Sequence, residues 1–289
     1  MIEEDLLYRF VFEEAGIRGE WVKLGPSLQA SCRHQQGPGH VQQLLGQALA
    51  AVVMLTATVK FKGSMILQAQ GQGDIRAVVA QSTHDKKIRG LLRSNETVPA
   101  GTLQDMFGQG GRLVITIESD NADPYQGITA LQGYNLAAAL ETYFTQSEQL
   151  NTRLWLFASE HQAAGLLIQE LPEQTGYQTD WEHIEMLANT VTDQELIKLN
   201  CEQLLHRLFH EEKIRLFEPE PIQFKCTCSR QKIEDTLRAL GKSELYEILK
   251  TQSTIEVDCE FCREHYSYDA IDIKNLMSDG ISPPSDTRH

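Results

Sequence analysis

The chain has 289 residues, 41% of them hydrophobic and 23% charged, with a formal net charge of −14. That composition is ordinary for a globular protein, and the length allows a full hydrophobic core plus a second, smaller unit. The acidic balance disfavours nucleic acid and anionic membrane surfaces as partners, because no basic run offsets it.

The opening residues, MIEEDLLYRF, carry neither a basic n-region nor an apolar h-region, so no secretory signal is expected. DLLYRFVFEE alternates, with Leu6, Tyr8, Phe10 and Phe12 on one side, which predicts a half-buried strand. IRGEWVKL predicts a second strand. GHVQQLLGQALAAVVMLTATVKF is rich in Ala and Leu and predicts a largely buried helix. Its longest apolar run, 48–59, is too short to span a bilayer. A cytoplasmic location follows, and in that compartment closely spaced cysteines serve as metal ligands or redox thiols more often than as structural disulfides.

SMILQAQGQGDIRAVVAQ reads as strand, Gly-containing turn and strand. GRLVITIES alternates through Leu113, Ile115 and Ile117. NLAAALETYFTQSEQL predicts an amphipathic helix, and TRLWLFAS a strand after it. Together these predict an α+β domain over residues 1–177 with a mainly antiparallel sheet and packed helices.

From about residue 178 the pattern turns helical. Thr179 with Glu182, Thr192 with Glu195 and Asn200 with Gln203 each have the spacing of a helix-capping pair. Apolar residues then recur at helical spacing: Trp181, Ile184 and Leu187; Leu196 and Leu199; Leu204, Leu205, Leu208 and Phe209. Helices this short are unstable alone and must bury that stripe, most simply on the first domain. FEPEPIQFK (217–225) ends them with two prolines and reads as linker, so 178–225 is expected to be a helical linker packed on the core.

The last unit is expected over 226–272. SRQKIEDTLRALG predicts a helix capped by Ser229 and ended at Gly241, and KSELYEILK a second short helix. STIEVDCEFCREHYSYD reads as strand, knuckle turn and strand. Residues 273–289 are expected to be a disordered tail.

This unit holds Cys226 and Cys228 as a CxC pair, and Cys259 and Cys262 as a CxxC pair, out of six cysteines in all. Four thiolates so spaced suit the tetrahedral sulfur site that Zn²⁺ favours. A thioredoxin-like pair would instead place its CxxC at the start of a helix beside a parallel sheet. Cys32 and Cys201 stand alone and read as ordinary core or surface cysteines. A unit of this size rarely holds together by core burial. Zinc binding contributes roughly 10–16 kcal/mol to small zinc-dependent peptides, so the unit is expected to fold only with zinc bound.

FKCTCSR followed by IEVDCEFC resembles the zinc motif of the heat-shock protein 33 family, the redox-regulated holdase chaperones of bacteria. LLHRLFHEEKIRLFEP, YQGITALQG (125–133), YFTQSEQL (143–150) and AAGLLIQELP (163–172) also resemble family signatures, so the likeness covers nearly the whole chain. Asn151 stands where the family commonly has proline. The resemblance implies a reduced, inactive form in which Cys226, Cys228, Cys259 and Cys262 hold one Zn²⁺ per chain. It implies that oxidation joins Cys226 to Cys228 and Cys259 to Cys262, releases zinc and loosens the helical linker. The active form would bind unfolding client proteins without ATP, and would be associated with a homodimer. No catalytic residue is implied.

Other features read as structural. His206 and His210 lie four apart on one helix face, but Arg207 stands where an HExxH motif needs glutamate. GQGD (71–74) and GQGGR (108–112) do not complete a nucleotide-binding pattern and read as turns. Tyr125 reads as packing. Three alternatives remain open from the residues themselves: a zinc ribbon that binds nucleic acid, a thiol oxidoreductase acting through Cys259 and Cys262, and a constitutive structural zinc site. The first lacks the clustered cations that nucleic acid would require.

Overall fold

The structure is a computed structural model and describes residues 4–120, 122–171 and 181–278. Its contacts divide the chain into two compact units, with the boundary between Lys225 and Cys226.

The first unit begins with β1 (Leu6–Phe12), β2 (Ile17–Leu24), α1 (Pro26–Cys32), α2 (Gly39–Thr58), β3 (Gly63–Gln70), β4 (Ile75–Thr83) and β5 (Lys87–Ser94). It continues with α3 (Leu103–Phe107), β6 (Arg112–Ser119), β7 (Ala122–Ala130), α4 (Leu136–Tyr143), a π-helical turn (Phe144–Glu148), β8 (Thr152–Ala158) and β9 (Ala163–Glu170). Then come α5 (Trp181–Ala188), α6 (Asp193–Lys198), α7 (Cys201–Phe209), β10 (Ile214–Leu216), β11 (Glu220–Pro221) and β12 (Gln223–Phe224).

The strands form two six-stranded sheets. One has the order β10-β1-β2-β9-β8, with β11 also on β1; the other has the order β12-β5-β4-β3-β6-β7. The described pairings are antiparallel except β12 on β5. α2 lies between the sheets and packs on strands of both. Its Leu45, Leu49, Val52 and Val53 share one core with Leu7 and Val22 of the first sheet and Leu67 and Val78 of the second. Enclosure on all sides explains why this helix is apolar all round. By length and composition alone it would also cross a membrane, but 72% of that stretch is buried inside the protein, as in a core helix.

The opposite face of the first sheet carries a second core. Phe10, Phe12, Trp21, Leu166 and Ile168 pack there against Ile184, Leu196, Leu204 and Leu208 of α5–α7. The Phe12 and Phe209 rings meet edge to face at 5.0 Å. The stripe expected on these helices is therefore the face they bury. β1 differs from its expected half-buried state. Tyr8, Phe10 and Phe12 enter the second core while Leu7 enters the first, because the sheet is covered on both sides.

The capping boxes of Thr192 with Glu195 and Asn200 with Gln203 form and start α6 and α7. The third expected start signal falls on Thr179, outside the described residues. Residues 217–225, read from the sequence as linker, lie against the first unit. β11 pairs with β1, β12 pairs with β5, and Ile222 between them is buried in the first core. Proline is tolerated here because β11 is an edge strand and its missing N–H leaves no ladder position empty.

The second unit comprises α8 (Arg230–Leu240), α9 (Lys242–Thr251), β13 (Ile255–Asp258), β14 (His265–Tyr268) and α10 (Ala270–Ser278). Ser229 caps α8 by accepting from the Lys232 N–H, and Gly241 turns the chain into α9 at φ 88°, a conformation glycine adopts without strain. The small core is built on Leu237, Leu245, Ile255, Tyr268, Ile273 and Leu276. The expected boundary at 272 and tail from 273 are corrected by α10. Its Ile273 and Leu276 are buried, so the helix completes this core.

Candidate metal centre

β13 and β14 pair antiparallel, with Asp258 opposite His265 as the last rung before the turn. Within that turn the Cys259 N–H donates to the Glu264 carbonyl at 2.9 Å and the Arg263 N–H to the Cys259 carbonyl at 2.7 Å. Arg263 takes the left-handed conformation, φ 58°. This tight knuckle puts Cys259 and Cys262 on one side of the hairpin. Cys226 and Cys228 arrive from the extended stretch that leads into α8.

The four sulfurs converge. Cys226 Sγ lies 3.7 Å from Cys259 Sγ and Cys228 Sγ lies 3.4 Å from Cys262 Sγ, and all four are within 4.8 Å of one another. Zn–S bonds of about 2.3 Å in a tetrahedron place sulfurs about 3.8 Å apart, so the donor set and its spacing fit a four-thiolate metal site. Among the described residues this is the one cluster of His, Cys, Asp or Glu able to hold a metal ion. Both of these sulfur–sulfur contacts join the two half-sites.

The environment treats the thiols unequally. Burial raises the Cys226 thiol, but the Cys228 backbone N–H and the neighbouring thiols outweigh it and bring it down to about 7. Burial pushes Cys259 and Cys262 up. Tyr266, on β14, donates its hydroxyl to Cys228 Sγ at 3.4 Å. His265 is held between Asp258 and Glu256 at 2.7 Å from each, and the Asp258 hydrogen bond raises its pKa.

All four cysteines singled out by the sequence meet here. Cys32 is elsewhere, half-buried at the end of α1, where burial pushes its thiol up to about 11. Cys201 is buried in the second core at the start of α7. His206 and His210 stack with ring centroids 5.9 Å apart and belong to no metal-binding cluster among the described residues. Tyr266 is the site residue that sequence reasoning missed. Strand alternation from Tyr268 would have placed it on the same face of β14.

Comparison with known proteins agrees over the full length. The model of the family described as Hsp33 protein matches residues 5–269. The 33 kDa chaperonin of Nitrosococcus oceani is 54% identical over 290 residues, covering 100% of both chains. The 33 kDa chaperonin of Shewanella frigidimarina is 44% identical, covering 98% of this chain and 99% of that one. The crystal structure of the 33 kDa chaperonin (heat shock protein 33 homolog) of Thermotoga maritima superposes with a TM-score of 0.80 at 23% identity. It covers 96% of this chain and 99% of that one, and so shows the same fold. The chain belongs to the Hsp33 family of chaperones.

Proposed function

We propose that this chaperone is a redox-regulated, ATP-independent holdase whose switch is the four-cysteine centre. The observation that carries this reading is the convergence of Cys226, Cys228, Cys259 and Cys262 within 4.8 Å in a unit with so small a core. In the reduced chain the four thiolates would hold one Zn²⁺, which supplies the cross-link the core lacks.

Oxidation then couples Cys226 to Cys228 and Cys259 to Cys262, the pairing that family resemblance implies. As each S–S bond forms, its pair of thiolates gives up two electrons to the oxidant, and peroxide, taking them with two protons, is reduced to two waters. A disulfide sulfur is no longer a thiolate ligand, so the chain gives up the metal and the second unit loses its order. The helical segment α5–α7 then leaves the first sheet. Phe10, Phe12, Trp21, Leu166 and Ile168 lie beneath it, and their exposure creates an apolar surface for unfolding clients. Zinc as the metal, the division of the chain into core, helical linker and switch, the dimer of the active form, and a cytoplasmic location belong to the same proposal.

Size-exclusion chromatography of the protein with a heat-unfolded client, in the absence of nucleotide, tests it. A stoichiometric complex is expected after peroxide treatment and not with the reduced, zinc-loaded protein. A complex with the reduced protein alone, or catalytic turnover of client disulfides, would overturn the reading.

A further inference from the structure

A pocket of about 260 Å³ opens in the first unit, remote in sequence from the cysteines. Leu55, Met65, Ile115 and Phe144 form its apolar wall. Val59 and Tyr125 at its lining are large apolar residues left 42% and 49% exposed. Two of the motifs the metal centre does not use, YQGITALQG and YFTQSEQL, meet here. The Tyr125 hydroxyl donates to Glu148 Oε1 at 3.1 Å and the Tyr143 hydroxyl to the same oxygen at 2.9 Å. Gly127 permits this, since a Cβ there would fall 2.4 Å from the Tyr143 hydroxyl. Glu148 belongs to the π-helical turn, a distortion that recurs at functional sites.

Arg18 supplies the opposite charge. Its Nη1 donates to the Thr58 carbonyl at 2.9 Å, and its Nε and Nη2 both donate to Gln169 Oε1. Gln169 is itself fixed by donating to Thr152 Oγ1 at 2.7 Å. The guanidinium is thus rigidly held by neutral acceptors. Arg18 forms no salt bridge to a carboxylate among the described residues; the buried Glu20, two residues on along β2, interacts with it only at longer range. Glu148, by contrast, is answered by two hydroxyls.

We propose that this pocket binds a small apolar carboxylic acid, with its tail against Leu55, Met65 and Ile115 and its carboxylate on Arg18. A guanidinium with N–H groups left unused recognises a carboxylate in preference to neutral polar groups. The volume suits an aliphatic chain of several carbons and excludes a folded partner.

Isothermal titration of the full-length reduced protein with octanoate tests this. Octanol, N-acetyl-leucyl-leucine and the variants Arg18→Gln and Val59→Trp complete the test. Saturable binding of one octanoate per chain is expected, weakened at least tenfold in both variants, with octanol and the peptide weaker still. Arg18 also caps α2, so if Arg18→Gln fails to fold, Val59→Trp decides alone. No saturable binding, octanol binding as tightly as octanoate, the peptide binding more tightly, or octanoate affinity unchanged in the folded variants would each overturn the proposal.

Discussion

Four thiolates within 4.8 Å of one another repel, and a reduced site of this kind is stable only with a cation among them or with protons shared between sulfurs. Each cysteine is therefore expected to be indispensable to the metal. Cys228→Ser should reduce bound zinc from one per chain to a small fraction, measured by metal analysis. It should also abolish hydrogen-exchange protection in 226–278, since binding worth roughly 10 kcal/mol or more is forfeited. Tyr266 acts on the same sulfur from outside the ligand set. Removing an outer hydrogen bond to a metal ligand typically weakens metal binding by about 10–100-fold. Tyr266→Phe should do so in competition with a chelator and should speed peroxide-driven zinc release. Unchanged affinity and rate would remove Tyr266 from the switch.

Glu20 is a residue-scale feature of a different kind. It is 2% exposed on β2, its Oε2 has no hydrogen-bond partner, and burial raises its pKa to about 7 from 4.5. A folded chain that holds this proton more tightly than the unfolded one loses stability as pH rises from 4.5 through 7. The loss amounts to about 3 kcal/mol. Glu20→Gln mimics the neutral acid. Denaturant unfolding at pH 5 and pH 8 should show that loss in the parent and not in the variant.

At the scale of elements, α5, α6 and α7 are too short to persist undocked, so their order reports their contact with the first sheet. Leu204 is fully buried in that contact. Leu204→Ala should cost about 2–5 kcal/mol, concentrated in these helices. Faster hydrogen exchange over 181–209 is expected, together with partial suppression of client aggregation by the reduced protein. Faster exchange without any suppression would show that uncovering this sheet does not create the client surface. Much of this architecture was legible in the sequence because its signals are local. α2 shows as an apolar run, α6 and α7 as capping pairs, and the knuckle as CxxC between alternating segments. The remainder depends on distant partners. β10, β11 and β12 are two or three residues long and become strands only by pairing with β1 and β5. α10 mixes polar and apolar residues, and only the packing of Ile273 and Leu276 distinguishes it from a tail. The meeting of Tyr125 with Glu148 joins residues 23 apart and left no local trace.

For the whole molecule, the division at Lys225 separates a large doubly layered core from a small unit with few buried residues. Chelation without oxidant should therefore be selective. Hydrogen exchange should rise across 226–278 while the strands of the two large sheets keep their protection, because their cores do not use the metal. Oxidation should differ from chelation by also fixing the cysteines as disulfides, so that added zinc restores the chelated sample and not the oxidised one. The most direct test of the account is a graded peroxide titration in which zinc released per chain and light scattering from an unfolding client are read on the same samples. The account predicts that suppression of scattering rises in step with zinc release and is absent from the reduced, zinc-loaded protein. Complete zinc release with scattering unchanged, or full suppression by the reduced protein, would contradict it.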